Sequence, residues 1–168
     1  MVVLKLVAAG GRKGTFADLG RELGISASEA HAALKRARRA GLVHPLEDMP
    51  IRSAVQEFLI HGLKYLLPVS PGGRTRGIPT GFGAPPLAEH FGPSDQDPGL
   101  LVWPDPAGEK AGLEIQPLCR SATFAARQDA VLCEWLVLAD AMRGAGRARE
   151  RKLAEAIIRK RLGQHADR

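Results

Sequence analysis

The densest chemistry in this 168-residue chain is a group of cations near its amino end. Lysine or arginine fills four of the five positions from Lys35 to Arg39. Residues 1–44 together carry eight Lys or Arg against three Asp or Glu, a net charge of +5 out of +6 for the chain. Ammonium and guanidinium groups bind phosphate oxygens through charge-assisted hydrogen bonds. The pattern therefore predicts a surface for a polyphosphate such as a nucleic acid.

Two short helices joined by a glycine turn are predicted to position these cations. Thr15 can cap the first helix, in which Phe16, Leu19 and Leu23 recur at helical spacing. Gly24 then permits the left-handed backbone that a tight turn requires. The second helix therefore begins almost at once and packs across the first.

The second helix is predicted to bury one side and expose the other. Ser26 and Glu29 form the Ser-x-x-Glu capping box that begins it, and Gly41 ends it. Its inner side is small and apolar: Ala30, Ala33, Leu34 and Ala37. Its outer side displays Ser28, His31, Ala32, Lys35, Arg36, Arg38 and Arg39. A helix-turn-helix with a basic outer face is typical of a protein that inserts a recognition helix into a DNA groove.

Residues 2–44, about a quarter of the chain, resemble the N-terminal part of winged helix-turn-helix regulators of the MarR type. The pattern they share is Phe-x-x-Leu-x-x-x-Leu-Gly-Ile-Ser-x-Ser-x-Ala-x-x-Ala-Leu-x-x-Ala-x-x-Ala-Gly-Leu-Val, which begins at Phe16. The family usually continues into a β-hairpin wing. Here residues 44–50 show no return strand, so we expect the wing to be short or missing.

The resemblance implies a role for each exposed residue of the second helix. Residues 27–39 would enter a major groove, where bases are read by Ser28, His31, Ala32 and Lys35. Phosphates would be held by Arg36 and Arg39, with Arg12 and Lys13 as peripheral contacts. Ala32 departs from the family, which often has a larger polar side chain there. Base readout is then modest, and DNA shape contributes to specificity.

The remainder of the chain is expected to serve dimerisation and regulation. We divide the chain into a DNA-binding domain at residues 1–50, which opens with a helix at about Val2 to Ala9, and a second region at 51–168. A homodimer is expected because one small recognition helix reads few bases and two half-sites multiply the discrimination. Helices predicted from Ile51 to Leu67 and from Asp129 to Met142 are the candidate interface.

Residues 68–99 are predicted to form an irregular loop. Five prolines and five glycines fall within residues 68–86, and they disfavour both a helix and a central strand. Arg74 and Arg76 are candidate contacts to DNA or to another subunit, and an inert linker is the alternative.

Further along, the patterns favour a β-hairpin and two more helices. Residues 100–115 predict the hairpin, with Trp103 in packing or, alternatively, beside a small ligand. A short helix can begin at Ser121. A basic helix follows at residues 147–162, and its charges form either a solvated face or a phosphate contact. The fold class is therefore mainly α with a small β-hairpin (α+β).

No catalytic or metal-binding pattern assembles in the sequence. The five histidines are scattered, and Cys119 and Cys133 lack the spacing of zinc ligands. We therefore expect no enzyme activity, no metal and no cofactor. No apolar run approaches the ~20 residues of a membrane span, so no membrane partner is expected and the location is cytoplasmic, at the nucleoid.

The sequence thus predicts a dimeric regulator, most simply a repressor, that binds double-stranded DNA. An alternative is an antitoxin-like protein whose helix-turn-helix represses its own operon while a second region binds a toxin-like partner. A third is a repressor that senses a ligand beside Trp103.

Overall fold

The computed structural model describes residues 1–91 and 97–163, and helices dominate it. The helices are α1 (Val2–Ala9), α2 (Phe16–Leu23), α3 (Ala27–Arg39), α4 (Arg52–Glu57, continued by a π-helical turn at Phe58–Gly62 and a last turn at Leu63–Leu66), α5 (Ala122–Gln128), α6 (Ala130–Met142) and α7 (Ala148–Gly163). The strands are β1 (Arg74–Thr80), β2 (Leu101–Pro104) and β3 (Lys110–Glu114). The predicted α+β class is confirmed at this level.

The ends of α2 and α3 are fixed by the local signals that the sequence carries. The Thr15 hydroxyl accepts the Asp18 N–H, and Asp18 in turn accepts the N–H of Thr15 at 2.9 Å. Ser26 and Glu29 make the same reciprocal pair at the start of α3. Gly24 adopts φ +65° after α2. The predicted cap at Thr15, the capping box of Ser26 with Glu29 and the turn at Gly24 are confirmed, and the structure adds Asp18 as the reciprocal partner of Thr15.

The core is built around α6, which Asp129 caps by accepting the Leu132 N–H. The apolar residues that recur at helical spacing along it are all buried: Leu132, Trp135, Leu136, Leu138, Ala139 and Met142. Every residue from 135 to 143 is in fact buried, so α6 packs against this chain on all sides over that stretch. It has no free face there for the dimer contact expected of it. That contact would have to come from α4.

One hydrophobic cluster runs through both predicted regions and includes Val2, Leu34, Val55 and Ile158. An ion-pair network also connects the two regions, because Lys5 on α1 binds Glu22 of α2 at 2.7 Å and Asp129 at 2.9 Å. The division at residue 50 stays a prediction.

The sheet corrects two predictions. First, residues 68–99 are not an irregular loop throughout, because β1 lies within them and pairs with both other strands. Pro79 is tolerated since β3 pairs only with residues 74–77 of β1. Second, β2 and β3 are not a hairpin. Both run antiparallel to β1 and therefore parallel to each other, with Leu101 opposite Leu113.

The close crossing of two glycines explains why the chain does not reverse between β2 and β3. A Cβ on Gly108 would lie 2.3 Å from the carbonyl carbon of Gly77. The connection at 105–109 can therefore pass directly over β1 and continue in the same direction. Turn-forming residues at 104–109 suggest a hairpin in the sequence, but only the contact between the two glycines decides the topology.

Candidate nucleic-acid interface

α3 buries its alanine-rich side and turns its polar side to solvent. Ala30, Leu34 and Ala37 are 0%, 0% and 7% exposed, respectively. The predicted groove-facing residues lie opposite them. Of these, Ala32 is half-buried, and the exposed ones are Ser28, His31, Lys35, Arg36 and Arg39. The structure therefore brings the predicted base-reading and phosphate-holding residues onto one side of one helix.

Three cations on this side have no ion-pair partner in the described ranges 1–91 and 97–163: Lys35, Arg36 and Arg39. Arg38 behaves differently, because its guanidinium pairs with Asp48 and lies on the flank of the helix. Unpaired exposed cations repel one another and attract mobile anions. The arrangement is therefore chemically suited to binding a row of phosphates.

Asp48 organises one flank of α3 from the segment that follows it. This carboxylate is 7% exposed and accepts the Arg12 Nε–H at 2.6 Å as well as a bond from Arg38. Burial alone raises the pKa of Asp48, but the two arginines outweigh it and hold the pKa below its ordinary value. The Arg12 guanidinium also lies 4.7 Å from the centre of the Phe16 ring, which meets His31 edge-on at 4.9 Å.

Arg12, predicted as a peripheral DNA contact, is thus tied to the fold, while its neighbour Lys13 is exposed. Where the family has a wing, the described chain makes one bridge, Val43 to Pro50, as the missing return strand led us to expect. The His44 N–H donates to the Met49 carbonyl at 2.7 Å beside it. This short reversal places Asp48 against α3.

Arg74 and Arg76 lie on β1 and not on α3. Both side chains are exposed, and their spacing of two residues puts them on the same face of the strand. Arg74 donates to the Pro98 carbonyl at 3.4 Å. No hydrogen bond or ion pair in the described part of the chain links either arginine to α3, so the structure does not unite these two predicted residues with the rest of the site.

The basic helix α7 has part of its charge engaged. Arg147, just before it, pairs with Asp97 at 2.9 Å, and Arg161 pairs with Glu134 at 2.5 Å. Arg159 pairs with Glu155 at 2.8 Å, and Arg149 lies over the Phe91 ring. Arg151, Lys152 and Lys160 are exposed and have no ion pair within the described ranges, so both interpretations of α7 stay predictions.

Sequence reasoning missed a buried polar centre around Asp140, which is 1% exposed. Its carboxylate accepts hydrogen bonds from Thr80 at 2.9 Å, from Trp103 at 2.6 Å and from Arg143 at 2.8 Å. Burial raises the pKa of Asp140 to about 6, against the opposing effect of Arg143 and the two hydrogen bonds. The one signal for this centre was an aspartate three residues before an arginine in an apolar run.

This centre bears on the ligand pocket that the sequence suggested beside Trp103. The indole is 1% exposed and its N–H is bonded to Asp140, so the chain itself fills the space around the ring. The predicted packing role of Trp103 is confirmed, and its alternative role beside a small ligand stays a prediction.

Across residues 1–91 and 97–163, no group of three or more His, Cys, Asp or Glu side chains is placed to hold a metal ion. None of the helices in those ranges combines the length and apolar character that crossing a bilayer requires. No family model, curated protein or solved structure matches the chain.

Proposed function

We propose that this protein is a transcriptional regulator that binds double-stranded DNA by laying α3 in a major groove. The observation that carries the proposal is the cluster of three exposed cations within positions 35–39, Lys35, Arg36 and Arg39, on one side of α3, which no acidic group of the described chain neutralises. A helix about 10–12 Å across matches a groove about 12 Å wide. Phosphates would supply the missing counter-charge and release bound cations.

The polar residues of α3 divide into two roles under this proposal. Ser28, His31 and Lys35 present donors and acceptors to base edges, and the Ala32 methyl group suits contact with a thymine methyl group. Arg36 and Arg39 hold the sugar–phosphate backbones. Binding in front of a gene would block transcription, which makes repression the simplest outcome.

Dimerisation through α4 accompanies the proposal. Tyr65, Leu66 and Leu67 at the end of this helix are 76%, 67% and 42% exposed, a contiguous apolar surface with no cover from the described part of this chain. Two copies joined there would present two α3 helices to two half-sites. Light scattering of the purified protein with and without Leu66→Glu tests this step, and a monomeric parent would contradict it.

The decisive experiment compares two triple variants that each lose three positive charges. One is Lys35→Ala/Arg36→Ala/Arg39→Ala on α3, and the other is Arg151→Ala/Lys152→Ala/Lys160→Ala on α7, where all three side chains are exposed. Anisotropy is read with a labelled mixed-sequence duplex of about 30 base pairs, which is long enough for two half-sites. We expect about a 100-fold loss for the α3 variant and a change within about threefold for the α7 variant. Equal losses would show that only net charge matters, and a parent without affinity in dilute buffer would refute the proposal.

A second candidate is the antitoxin-like role, and the same exposed residues Tyr65, Leu66 and Leu67 favour it, because a different protein could cover them. Pull-down from the source cell distinguishes the two functions. A single stoichiometric protein partner, absent with Leu66→Glu, would support the antitoxin-like role. Recovery of DNA alone would support the plain regulator.

A further inference from the structure

The two flanks of α3 have different neighbours. Helical spacing places His31, Lys35 and Arg38 on one flank and Glu29, Ala33 and Arg36 on the other. The first flank adjoins the basic turn at residues 10–14, because Arg12 covers Phe16 and Phe16 contacts His31. The turn at residues 10–14, which includes the exposed Lys13, therefore lies next to this flank.

The second flank borders a groove of about 490 Å³. Its far wall is the segment Cys119, Arg120 and Ser121, which comes from the second half of the sequence and leads into α5. On the α3 side the groove is lined by Glu29, Ala32, Ala33 and Arg36. Two arginines of distant sequence positions, Arg36 and Arg120, thus line one open groove beside the candidate DNA-contacting face.

The Arg120 side chain is exposed, and it makes no ion pair within the described ranges. The nearest acidic group of the lining, Glu29, is engaged by the Ser26 N–H at 2.8 Å and the Ser26 hydroxyl at 2.7 Å. These hydrogen bonds hold the pKa of Glu29 below its ordinary value, so it stays a carboxylate. The groove still carries a net positive charge from its two arginines.

Contacts on both sides of Arg120 fix its segment relative to α3. The Cys119 thiol donates to the Met1 sulfur at 3.3 Å, and the Ala122 N–H donates to the Cys119 carbonyl at 3.0 Å. Phe124 covers the turn between α2 and α3 so closely that a Cβ on Gly24 would lie 2.7 Å from its ring. The backbone at Arg120 is therefore held beside α3.

Resting on the proposed function, we infer that Arg120 binds a DNA backbone phosphate and that the segment at 119–121 is the second wall of the duplex interface. A helix in the major groove has one sugar–phosphate backbone along each flank. Lys13 faces the backbone on the His31 flank, and Arg120 faces the one on the Arg36 flank. The interface thus includes a residue more than 80 positions beyond α3 in the sequence.

The test compares Arg120→Ala with Arg151→Ala, which removes the same charge from an exposed position on α7. Affinity for the mixed-sequence duplex is measured over a series of salt concentrations. We expect Arg120→Ala to weaken binding about 5- to 10-fold and to lower the salt slope by about 0.9 for each phosphate that is no longer neutralised, with a melting temperature like that of the parent. Arg120→Lys should recover most of the affinity, because an ammonium also binds phosphate.

Arg120→Ala behaving like Arg151→Ala would overturn the inference. In that outcome a parent that binds, and that stops binding with the α3 triple substitution, would leave the proposed function standing. A parent with no affinity for the duplex would remove both. A weaker affinity with an unchanged salt slope would also overturn the inference, because it would mean that Arg120 acts through the fold and not on a phosphate.

Discussion

α3 and α7 are both basic helices, yet the structure distributes their paired and unpaired charges differently. On α3, Lys35, Arg36 and Arg39 point to solvent without acidic partners in the described chain. On α7 and just before it, the arginines at 147, 159 and 161 each hold a carboxylate. The α7 end is itself held from α4, since Arg52 donates to the Arg161 carbonyl at 2.8 Å. α7 also has three exposed cations without an ion pair in the described chain, Arg151, Lys152 and Lys160, but they are spread over positions 151–160, whereas those of α3 lie within positions 35–39 on one side of the helix. A phosphate-binding surface is therefore indicated by unpaired charge that is also clustered.

The packing faces of the two helices explain the difference. α7 buries Glu150, Ala154, Ile158 and Leu162, which recur every four residues, and lies against α6 and α4. That position brings Arg161 next to Glu134 on α6. α3 packs through small side chains against α1 and α2 at the edge of the molecule, so its long cations extend away from other acidic groups.

The salt dependence of duplex binding gives the largest expected effect. If Lys13, Arg36 and Arg39 of each copy bind phosphates, a dimer neutralises about six, and log affinity falls by about five units per decade of salt. Arg120 from each copy would steepen the slope to about seven, whereas three further phosphates bound by each α7 would bring it to about eleven. A slope near eleven would show that α7 binds phosphates as well as α3 and would contradict the distinction between the two helices.

Asp140 is a charged residue that is both paired, with Arg143, and almost completely buried. Asp140→Ala should destabilise the protein by about 3–5 kcal/mol, because it leaves Arg143 charged and buried without its partner. Urea unfolding measures the effect. Should that variant not fold, Thr80→Val, which removes one hydrogen bond to Asp140, should cost about 1 kcal/mol. Stability equal to the parent in Thr80→Val would contradict the assigned network.

Arg38 and Arg39 sharpen the comparison within α3 itself. Arg38→Ala should lower stability by about 1–3 kcal/mol, since the buried Asp48 then keeps only one partner. Arg39→Ala should leave stability within about 0.5 kcal/mol of the parent, as an exposed substitution does. The reverse order applies to duplex affinity, where Arg39→Ala should cost about fivefold. Two variants with the same effects on unfolding and on binding would contradict the separation of roles.

A pH titration isolates the contribution of Asp48. Because its folded-state pKa lies below the ordinary value, its ion pairs stabilise the fold above about pH 4, and this stabilisation disappears as the pH falls through the folded-state pKa. The parent should exceed Asp48→Asn in stability at neutral pH, and this difference should shrink in acid. Asparagine is chosen since Asp48 has φ +51°, a conformation that asparagine also accepts. A difference that grows in acid would reverse the assigned sign.

Arg159→Ala on α7 should give the smallest effect. Its pair with Glu155 is an exposed contact between neighbouring turns, so its removal should cost about 0.3–0.5 kcal/mol and leave duplex binding unchanged. Thermal unfolding and anisotropy measure the two quantities. A loss of affinity like that of Arg39→Ala would show that α7 also touches DNA.

Local signals in the sequence determined α1, α2, α3 and α6 and the direction in which α3 faces. Capping residues such as Thr15 and Ser26 act within three positions, and helical periodicity within four, so both can be read along the chain. The helix expected from Ile51 to Leu67 is present, but no local sequence pattern predicted its π-helical turn at Phe58–Gly62.

Only the tertiary structure decided which charges are free, because ion pairs join residues that are far apart in the sequence. Arg38 and Arg39 are adjacent residues of the same type, and only the ion pair of Arg38 with Asp48 gives them different environments. The same holds for Gly77 with Gly108, which set the parallel arrangement of β2 and β3, and for Arg120, which the sequence leaves remote from α3. Electrostatic and steric contacts depend on distance in space, and the fold fixes that distance by burying a single continuous core.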